Sequence, residues 1–217
     1  LFGPTRERET APLSRRGGRV ELLISHVWCR PCMLRECPLD HRCMTRLSTE
    51  RVLATMADLM ATGNESAAVF LDRDGTLVEE CGYLDRLDHL TLFPWTVDAL
   101  RLLKRAGFAT VVITNQAAVG RGIIDEEFVH VVHREIDRRL AGTGASIDRY
   151  YYCPHFAESK IERYRQQCAC RKPAPGMIEQ ACREMDLDPA RSVMVGDRWL
   201  DVSCGRAHVV GVALRVG

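Results

Sequence analysis

The chain predicts an α/β fold with a parallel sheet, and three observations carry that expectation. From Ala67 onward, short apolar runs rich in β-formers alternate with stretches of helical periodicity. The runs are almost continuously apolar, as strands covered on both faces must be. Each of them then stops at polar side chains: Ala68-Val69-Phe70-Leu71 at Asp72 and Asp74, a second at Thr114, a third at Asp197. Ligands of open α/β sheets bind at the carboxyl ends of the strands, where these groups gather.

Composition narrows the class. A length of 217 residues allows one medium domain with an appendage, and a net charge of +1 gives no reason to expect nucleic acid or an anionic membrane surface. No apolar run approaches the roughly 18 residues that span a bilayer, and the N-terminus lacks a signal-peptide pattern. Ten cysteines, several at metal-ligand spacing, read as thiols and thiolates of a reducing compartment. A soluble cytoplasmic protein is expected. The chain opens without Met and stops just after a strand-like run, so it reads as a fragment.

Taken in order, residues 1–47 are rich in Arg, Pro, Gly and Cys, with one strand candidate at Val20–Ile24. Cys29, Cys32, Cys37 and Cys43, with His41 among them, could hold zinc or stand as buried structural thiols. Ser48 is a candidate N-cap for a helix with Val52, Leu53, Met56 and Met60 on one face, ending near Gly63, and Asn64-Glu65-Ser66 reads as a linker.

The strand at Ala68–Leu71 follows. Alternation along an extended backbone points Asp72 and Asp74 the same way, and Gly75 lets the chain turn out of the strand. Such a pair is either an acidic turn or a site for a hard cation such as Mg²⁺, whose charge relieves the repulsion. Val78–Leu92, with Gly82-Tyr83-Leu84, forms a short flap, leaving no room for a large cap domain. A helix over Thr96–Arg105 buries Val97, Leu100 and Leu103 and stops at Gly107.

The next strand, Phe108–Ile113, ends in Thr114-Asn115-Gln116, whose hydroxyl and amides can donate to phosphoryl oxygens or simply cap the following helix. Arg121, between two glycines, suits a second anionic group of a substrate or is a solvated loop charge. A helix from about Asp125 faces Phe128, Val131, Val132 and Ile136 inward, while His130 and His133 read as surface or partly buried. After Tyr150-Tyr151-Tyr152 come Cys153 and His155, twelve residues, then Cys168 and Cys170. Two ligands at each end of a loop make the closed tetrahedral arrangement of structural zinc, and the polar loop between them could not otherwise fold.

Arg171 and Lys172 follow the last ligand, in a proline-rich turn with Pro175 near the first helical position, and Lys172 is one of only three lysines. The helix Gly176–Met185 turns Met177, Ile178, Ala181 and Met185 inward. The strand Ser192–Val195 ends in Gly196-Asp197-Arg198-Trp199-Leu200-Asp201, where Asp197 can be a further Mg²⁺ ligand and Asp201 can orient the groups that touch the ion. A last strand runs from Val209 to about Leu214.

Those motifs, D-R-D-G-T, T-N-Q, C-x-H…C-x-C-R-K-P and V-G-D-R, resemble the haloacid dehalogenase-like phosphatases over residues 67–217. They are most similar to the zinc-containing, capless branch that includes the heptose-bisphosphate and histidinol-phosphate phosphatases. The resemblance implies a Rossmann-like doubly wound sheet, Asp72 as nucleophile and Asp74 as general acid and base. It further implies Mg²⁺ on Asp72, Asp74 and Asp197, phosphate contacts from Thr114 and Lys172, structural Zn²⁺ on Cys153, His155, Cys168 and Cys170, and substrate contacts from Asn115, Arg121 and Arg171. Separately, Leu1-Phe2-Gly3-Pro4-Thr5, Cys29-Arg30-Pro31-Cys32, Cys37-Pro38 and His41-Arg42-Cys43-Met44 resemble the C-terminal tail of the ADP-heptose:lipopolysaccharide heptosyltransferases over about the first 60 residues. Together these divide the chain into a tail at 1–63 and a phosphatase domain at 67–217, probed by no partner but a small phosphorylated sugar, and monomeric. They favour heptose bisphosphate as substrate, with histidinol phosphate or a catalytically idle interaction fragment as the alternatives.

Overall fold

In the computed structural model, residues 66–207 are described in full, together with 23, 25–29, 39, 46–60 and 212–215. Of the four N-terminal cysteines only Cys29 falls among them, so the metal question for that cluster, the strand candidate at 20–24 and most of the tail motifs lie outside the described residues.

Helix α1 (Thr49–Met60) starts where the sequence places it, with Ser48 Oγ accepting from Arg51 N at 3.3 Å. Its Met56 is buried in the same cluster as Val69 and Leu71 of strand β1 (Ala68–Leu71). After the flap, held by Glu79 N to Thr91 O at 2.9 Å and Phe93 N to Leu77 O at 3.1 Å, comes α2 (Thr96–Arg105). Then follow β2 (Ala109–Asn115), a single turn α3 (Ala117–Gly120), α4 (Glu126–Leu140) and β3 (Arg149–Cys153). A long loop leads to α5 (Gly176–Met185), β4 (Val193–Gly196), α6 (Trp199–Ala207) and β5 (Val212–Arg215).

The strands form one five-stranded sheet in the order β3-β2-β1-β4-β5, parallel throughout. Every residue of β1 is buried, because helices cover both faces of the sheet. On one face Val69, Leu71 and Val112 pack against Leu100 of α2 and Val132, Ile136 and Leu140 of α4. On the other, Ala68, Phe70, Val111, Ile113 and Met194 pack against Met177, Ile178 and Ala181 of α5 and Cys204 of α6. This is the doubly wound arrangement. The chain reverses direction of winding between β1's two neighbours, so a crevice opens at the carboxyl ends of β1, β2 and β4.

Helix α4 begins as expected, Asp125 Oδ1 accepting from Phe128 N at 2.7 Å. Its inner face differs in part from the reading of the sequence. Val129 is fully buried and Val131 only half-buried, and of the two histidines His130 is exposed while His133 is buried, 5% exposed. A histidine sits there because its ring stacks on Tyr150 of β3, 4.2 Å between centroids and 15° between planes. Pro175 likewise stands one position outside α5, as its N-cap residue.

Burial, with Arg73 and His130 adding to it, pulls the His133 pKa from 6.5 down to about 3. Unfolding releases that constraint, so below the ordinary value the unfolded chain takes up a proton that the folded chain refuses. Stability from this residue is therefore complete above pH 6.5 and is lost as pH falls toward about 3. Urea unfolding of the wild type and His133→Phe at pH 7 and pH 5 checks this: the wild type should lose more stability over that interval than the variant.

Candidate active site

Asp72 ends β1, and its backbone N–H donates to Val195 O of β4 at 2.9 Å, which fixes it at the crevice. Its Oδ1 accepts from Lys172 Nζ at 2.6 Å across 100 residues of sequence. The same ammonium lies 2.6 Å from Asp201 Oδ1 and donates to Ile113 O at 2.9 Å. An ammonium has three N–H donors, and all are directed at these acceptors, which is how a lysine only 4% exposed remains charged. Burial alone would lower the Lys172 pKa; Asp72 and Asp201 outweigh it and hold the pKa above the ordinary lysine value. At Asp72, burial drives the carboxyl upward while Lys172 pulls it down and Asp201 and Asp74 push it up again.

Asp201, the second residue on Lys172, is itself fixed by Arg198 N, which donates to its Oδ2 at 3.0 Å at the start of α6. Asp197 completes the cluster: oxygens of Asp72, Asp197 and Asp201 all lie within 4.8 Å of one another. Gly75 stands beside them with φ +79°, and a Cβ there would come within 2.6 Å of Asp197 Oδ2. Backbone and carboxylates are thus packed closer than any other residue would allow. A set of hard oxygen donors of this kind suits Mg²⁺ rather than a softer metal.

Asp74 faces the same cavity, its carboxylate gripped by Arg73 and accepting from Gln116 Nε2 at 2.9 Å. Thr114 Oγ1 lies 3.5 Å from Asp74 Oδ2 and accepts from Gln116 Nε2 at 2.9 Å. Arg73 was assigned no role from the sequence, and Gln116 was read there as a donor to phosphoryl oxygens or a helix cap rather than as a partner of Asp74. The signal for Gln116 was its place beside Thr114; for Arg73 there was only its place between two acids. The cavity, about 230 Å³, is lined also by the flap residues Glu80, Tyr83 and Leu84 and by Arg121, Arg171 and Arg198. Arg121 lies over the Phe156 ring at 3.9 Å. Arg171 Nη1 donates to His155 O at 2.9 Å.

Asn115 sits on the cavity wall but its amide is engaged with Lys172: Nδ2 donates to Lys172 O and Oδ1 accepts from Lys172 N, each at 3.0 Å. That pairing clamps the peptide carrying the buried ammonium. Beyond it, Cys153, His155, Cys168 and Cys170 converge as their spacing predicts. Sulfur to sulfur separations are 3.1, 3.2 and 3.5 Å, and His155 Nδ1 lies 3.3 and 3.6 Å from Cys170 and Cys153. A tetrahedral zinc thiolate site has edges of ~3.8 Å, so the four atoms already face one central point. Within the cluster, hydrogen bonding from Cys153 is the main cause that lowers the pKa of the Cys170 thiol, while the hydrogen bond to Cys170 pushes Cys153 up and burial pushes Cys168 up. The donor set therefore fits Zn²⁺ in a closed site.

Against known proteins, residues 54–208 match the family model of the haloacid dehalogenase-like hydrolases. A D-glycero-β-D-manno-heptose-1,7-bisphosphate 7-phosphatase of Escherichia coli K12 is 40% identical over 149 residues, 69% of this chain and 78% of the relative. The enzyme of that name from Haemophilus influenzae is 42% identical over 138 residues, 64% of this chain and 74% of the relative. Among solved structures, a haloacid dehalogenase-like phosphatase from Mesorhizobium loti superposes with a TM-score of 0.65 at 30% identity, covering 70% of this chain and 71% of that one. The D,D-heptose 1,7-bisphosphate phosphatase of B. bronchiseptica, complexed with magnesium and phosphate, gives 0.58 at 31% identity, covering 64% and 74%.

The zinc assignment predicts that Cys170→Ser will lower bound zinc, measured by elemental analysis, well below the about one equivalent of a single closed site. The variant should also melt at lower temperature, because apart from Tyr164, buried against Val119 and Val129, the stretch Phe156–Gln167 is mainly polar and charged and depends on the metal to hold it.

Proposed function

The chain belongs to the haloacid dehalogenase-like hydrolases and is a phosphatase, and from that premise we propose that it removes the C7 phosphate of D-glycero-D-manno-heptose 1,7-bisphosphate. The observation that carries the chemistry is the pair of carboxylates on one cavity wall with separate cations, Asp72 on Lys172 and Asp74 on Arg73. The names of the relatives at 39–42% identity support the substrate.

In this reading an Asp72 carboxylate oxygen attacks phosphorus in line, forming an aspartyl-phosphate as the bond to the sugar oxygen breaks. Asp74 gives its proton to that departing oxygen. As a carboxylate it then takes a proton from water, whose oxygen attacks the same phosphorus and releases inorganic phosphate and Asp72. Thr114 and Lys172 offset charge on the phosphoryl oxygens. Mg²⁺, held by Asp72, the backbone carbonyl of Asp74 and Asp197, would supply further neutralisation of that charge, as the magnesium and phosphate of the B. bronchiseptica complex suggest. Arg121 and Arg171 would meet the distal phosphate or sugar hydroxyls, with Asn115 acting through the peptide of Lys172 as well as at the wall.

Residues 67–217 form the phosphatase unit in this proposal, a monomer that takes no nucleic acid and works in the cytoplasm, where reduced thiols are available to zinc. We read residues 1–63 as the remnant of a heptosyltransferase tail, on the motifs named above; most of it precedes the family match, which begins at residue 54. Among the described residues no helix is long and apolar enough to cross a membrane.

Phosphate release with Mg²⁺ from heptose 1,7-bisphosphate and from histidinol phosphate tests the proposal. The wild type should prefer the heptose compound, and Asp72→Asn should lose roughly 10³-fold or more in kcat. Preference for histidinol phosphate would overturn the substrate, and no dependence on Asp72 would overturn the mechanism.

A further inference from the structure

Arg73 is the side chain whose burial the sequence leaves unexplained. It stands between the two acids of the D-R-D motif, at the mouth of a cavity open to solvent, yet is only 2% exposed. Its Nε donates to Asp74 Oδ1 at 3.0 Å and its Nη2 to Asp74 Oδ2 at 2.9 Å. Both oxygens of one carboxylate are thus taken by both arms of one guanidinium, the fork geometry that sets the plane of a carboxylate as well as its place. Gln116 Nε2 supports Oδ2 from a second direction. On its far side the guanidinium is close enough to His133 of α4 and Tyr150 of β3 for its charge to be felt by both. Neither neighbour carries a compensating negative charge at neutral pH, since His133 is held neutral and the Tyr150 hydroxyl is pushed far up by burial and donates to Asp137.

Two features argue that the pair is there for orientation. Arg73 is not needed to shape the turn, because the backbone does that: Arg73 O accepts from Leu77 N at 2.9 Å and from Val78 N at 3.1 Å, and Gly75 N donates to Val78 O at 2.8 Å. And a buried ion pair yields little net stability once both ions have been taken out of water, whereas it fixes geometry well. The site also sorts its cations. Lys172 serves Asp72 and Asp201, and Arg73 serves Asp74, with no sharing between them. Asp74 keeps a quarter of its side-chain surface open toward the cavity, 25%, against 2% for Arg73, so the grip is from behind the face that a substrate meets.

We propose that Arg73 is a positioning residue that sets the carboxyl group of Asp74 in line with the leaving oxygen of the substrate. This rests on the reading above in which Asp74 protonates that oxygen. A misplacement of about 1 Å in such a group costs about 10²-fold in rate, and Arg73 is what the fold supplies against it.

The test exploits leaving-group chemistry. A sugar alkoxide departs only with a proton, whereas the phenolate of p-nitrophenyl phosphate departs without one, so a displaced acid slows the first substrate and spares the second. We would measure kcat/KM, which reports the formation of the phosphoenzyme, for the full chain with Mg²⁺. The substrates are p-nitrophenyl phosphate and an alkyl phosphate, either heptose 1,7-bisphosphate or histidinol phosphate, whichever is turned over faster. Variants are Asp74→Asn, Arg73→Met and Arg73→Lys, each first shown to melt cooperatively.

Asp74→Asn should lose about 10²-fold or more on the alkyl phosphate beyond its loss on the phenyl ester. Arg73→Met should show the same split at about 10 to 10²-fold, with Arg73→Lys between it and the wild type. Adding Arg73→Met to Asp74→Asn should not widen the split, since both act on one group. Equal losses on both substrates in the Arg73 variants, beside a split in Asp74→Asn, would overturn the inference alone and leave Arg73 a structural ion-pair partner. Equal losses in Asp74→Asn itself would overturn the acid role of Asp74, and the inference with it. Should Arg73→Met fail to fold, Arg73→Lys decides by the same comparison.

Discussion

One buried ammonium holds the site together. Lys172 Nζ meets Asp72, Asp201 and the carbonyl of Ile113, and those acceptors come from the ends of β1, β2 and the start of α6. Asp72, Asp74 and Asp201 line one small cavity, and Asp197 lies within 4.8 Å of Asp72 and Asp201. Without a cation among them the sheet edge would carry a charge the interior cannot solvate, and removing one partner of a buried pair costs about 3–5 kcal/mol. Lys172 meets Asp72 and Asp201, Arg73 meets Asp74, and Arg198 Nε lies 3.7 Å from Asp197 Oδ2, so each carboxylate of the cluster has a cation beside it.

The placement of Lys172 depends in turn on a loop that has no core of its own. Cys170 is two residues before it, and the thiol cluster lies against β3 and the N-terminal end of α5, where Gly176 N donates to Ala169 O at 2.8 Å. Any other residue at 176 would drive a Cβ into that carbonyl. Asn115 then ties the Lys172 peptide to the end of β2 from both sides. The metal ligands, the amide clamp and the ammonium form a chain of short links, so the order of the zinc loop becomes the position of a charge on Asp72.

Much of this was open to reading in the sequence, for physical reasons that differ by element. Strands β1, β2 and β4 were found because strands covered on both faces must be apolar, and α2 and α5 because their buried residues recur at helical spacing. The helix after Asp125 was legible through its acidic first turn and apolar spacing, and the structure adds Asp125 as its N-cap. The zinc ligands were found because four soft donors in two close pairs have few other uses. Arg73 was missed because neighbouring residues on an extended chain point apart, and only the turn at Gly75 brings its side chain back to Asp74. His133 was read as surface or partly buried, short of its full burial, because a polar residue on an inner helical face is recognised only once the ring it stacks on is known, and Tyr150 lies on another element. Asn115 was expected at the substrate; its engagement with Lys172 needs the proximity of two segments 57 residues apart.

In the proposed mechanism Asp72 carries the phosphoryl group while Asp74, two residues away, carries only protons. The measurement closest to that claim is borohydride trapping of enzyme quenched during turnover, followed by peptide mass analysis. Reduction of an acyl phosphate converts aspartate to homoserine, so homoserine is expected at position 72 beside an unaltered Asp74. Homoserine at 74, or at neither position under conditions of rapid phosphate release, would contradict it.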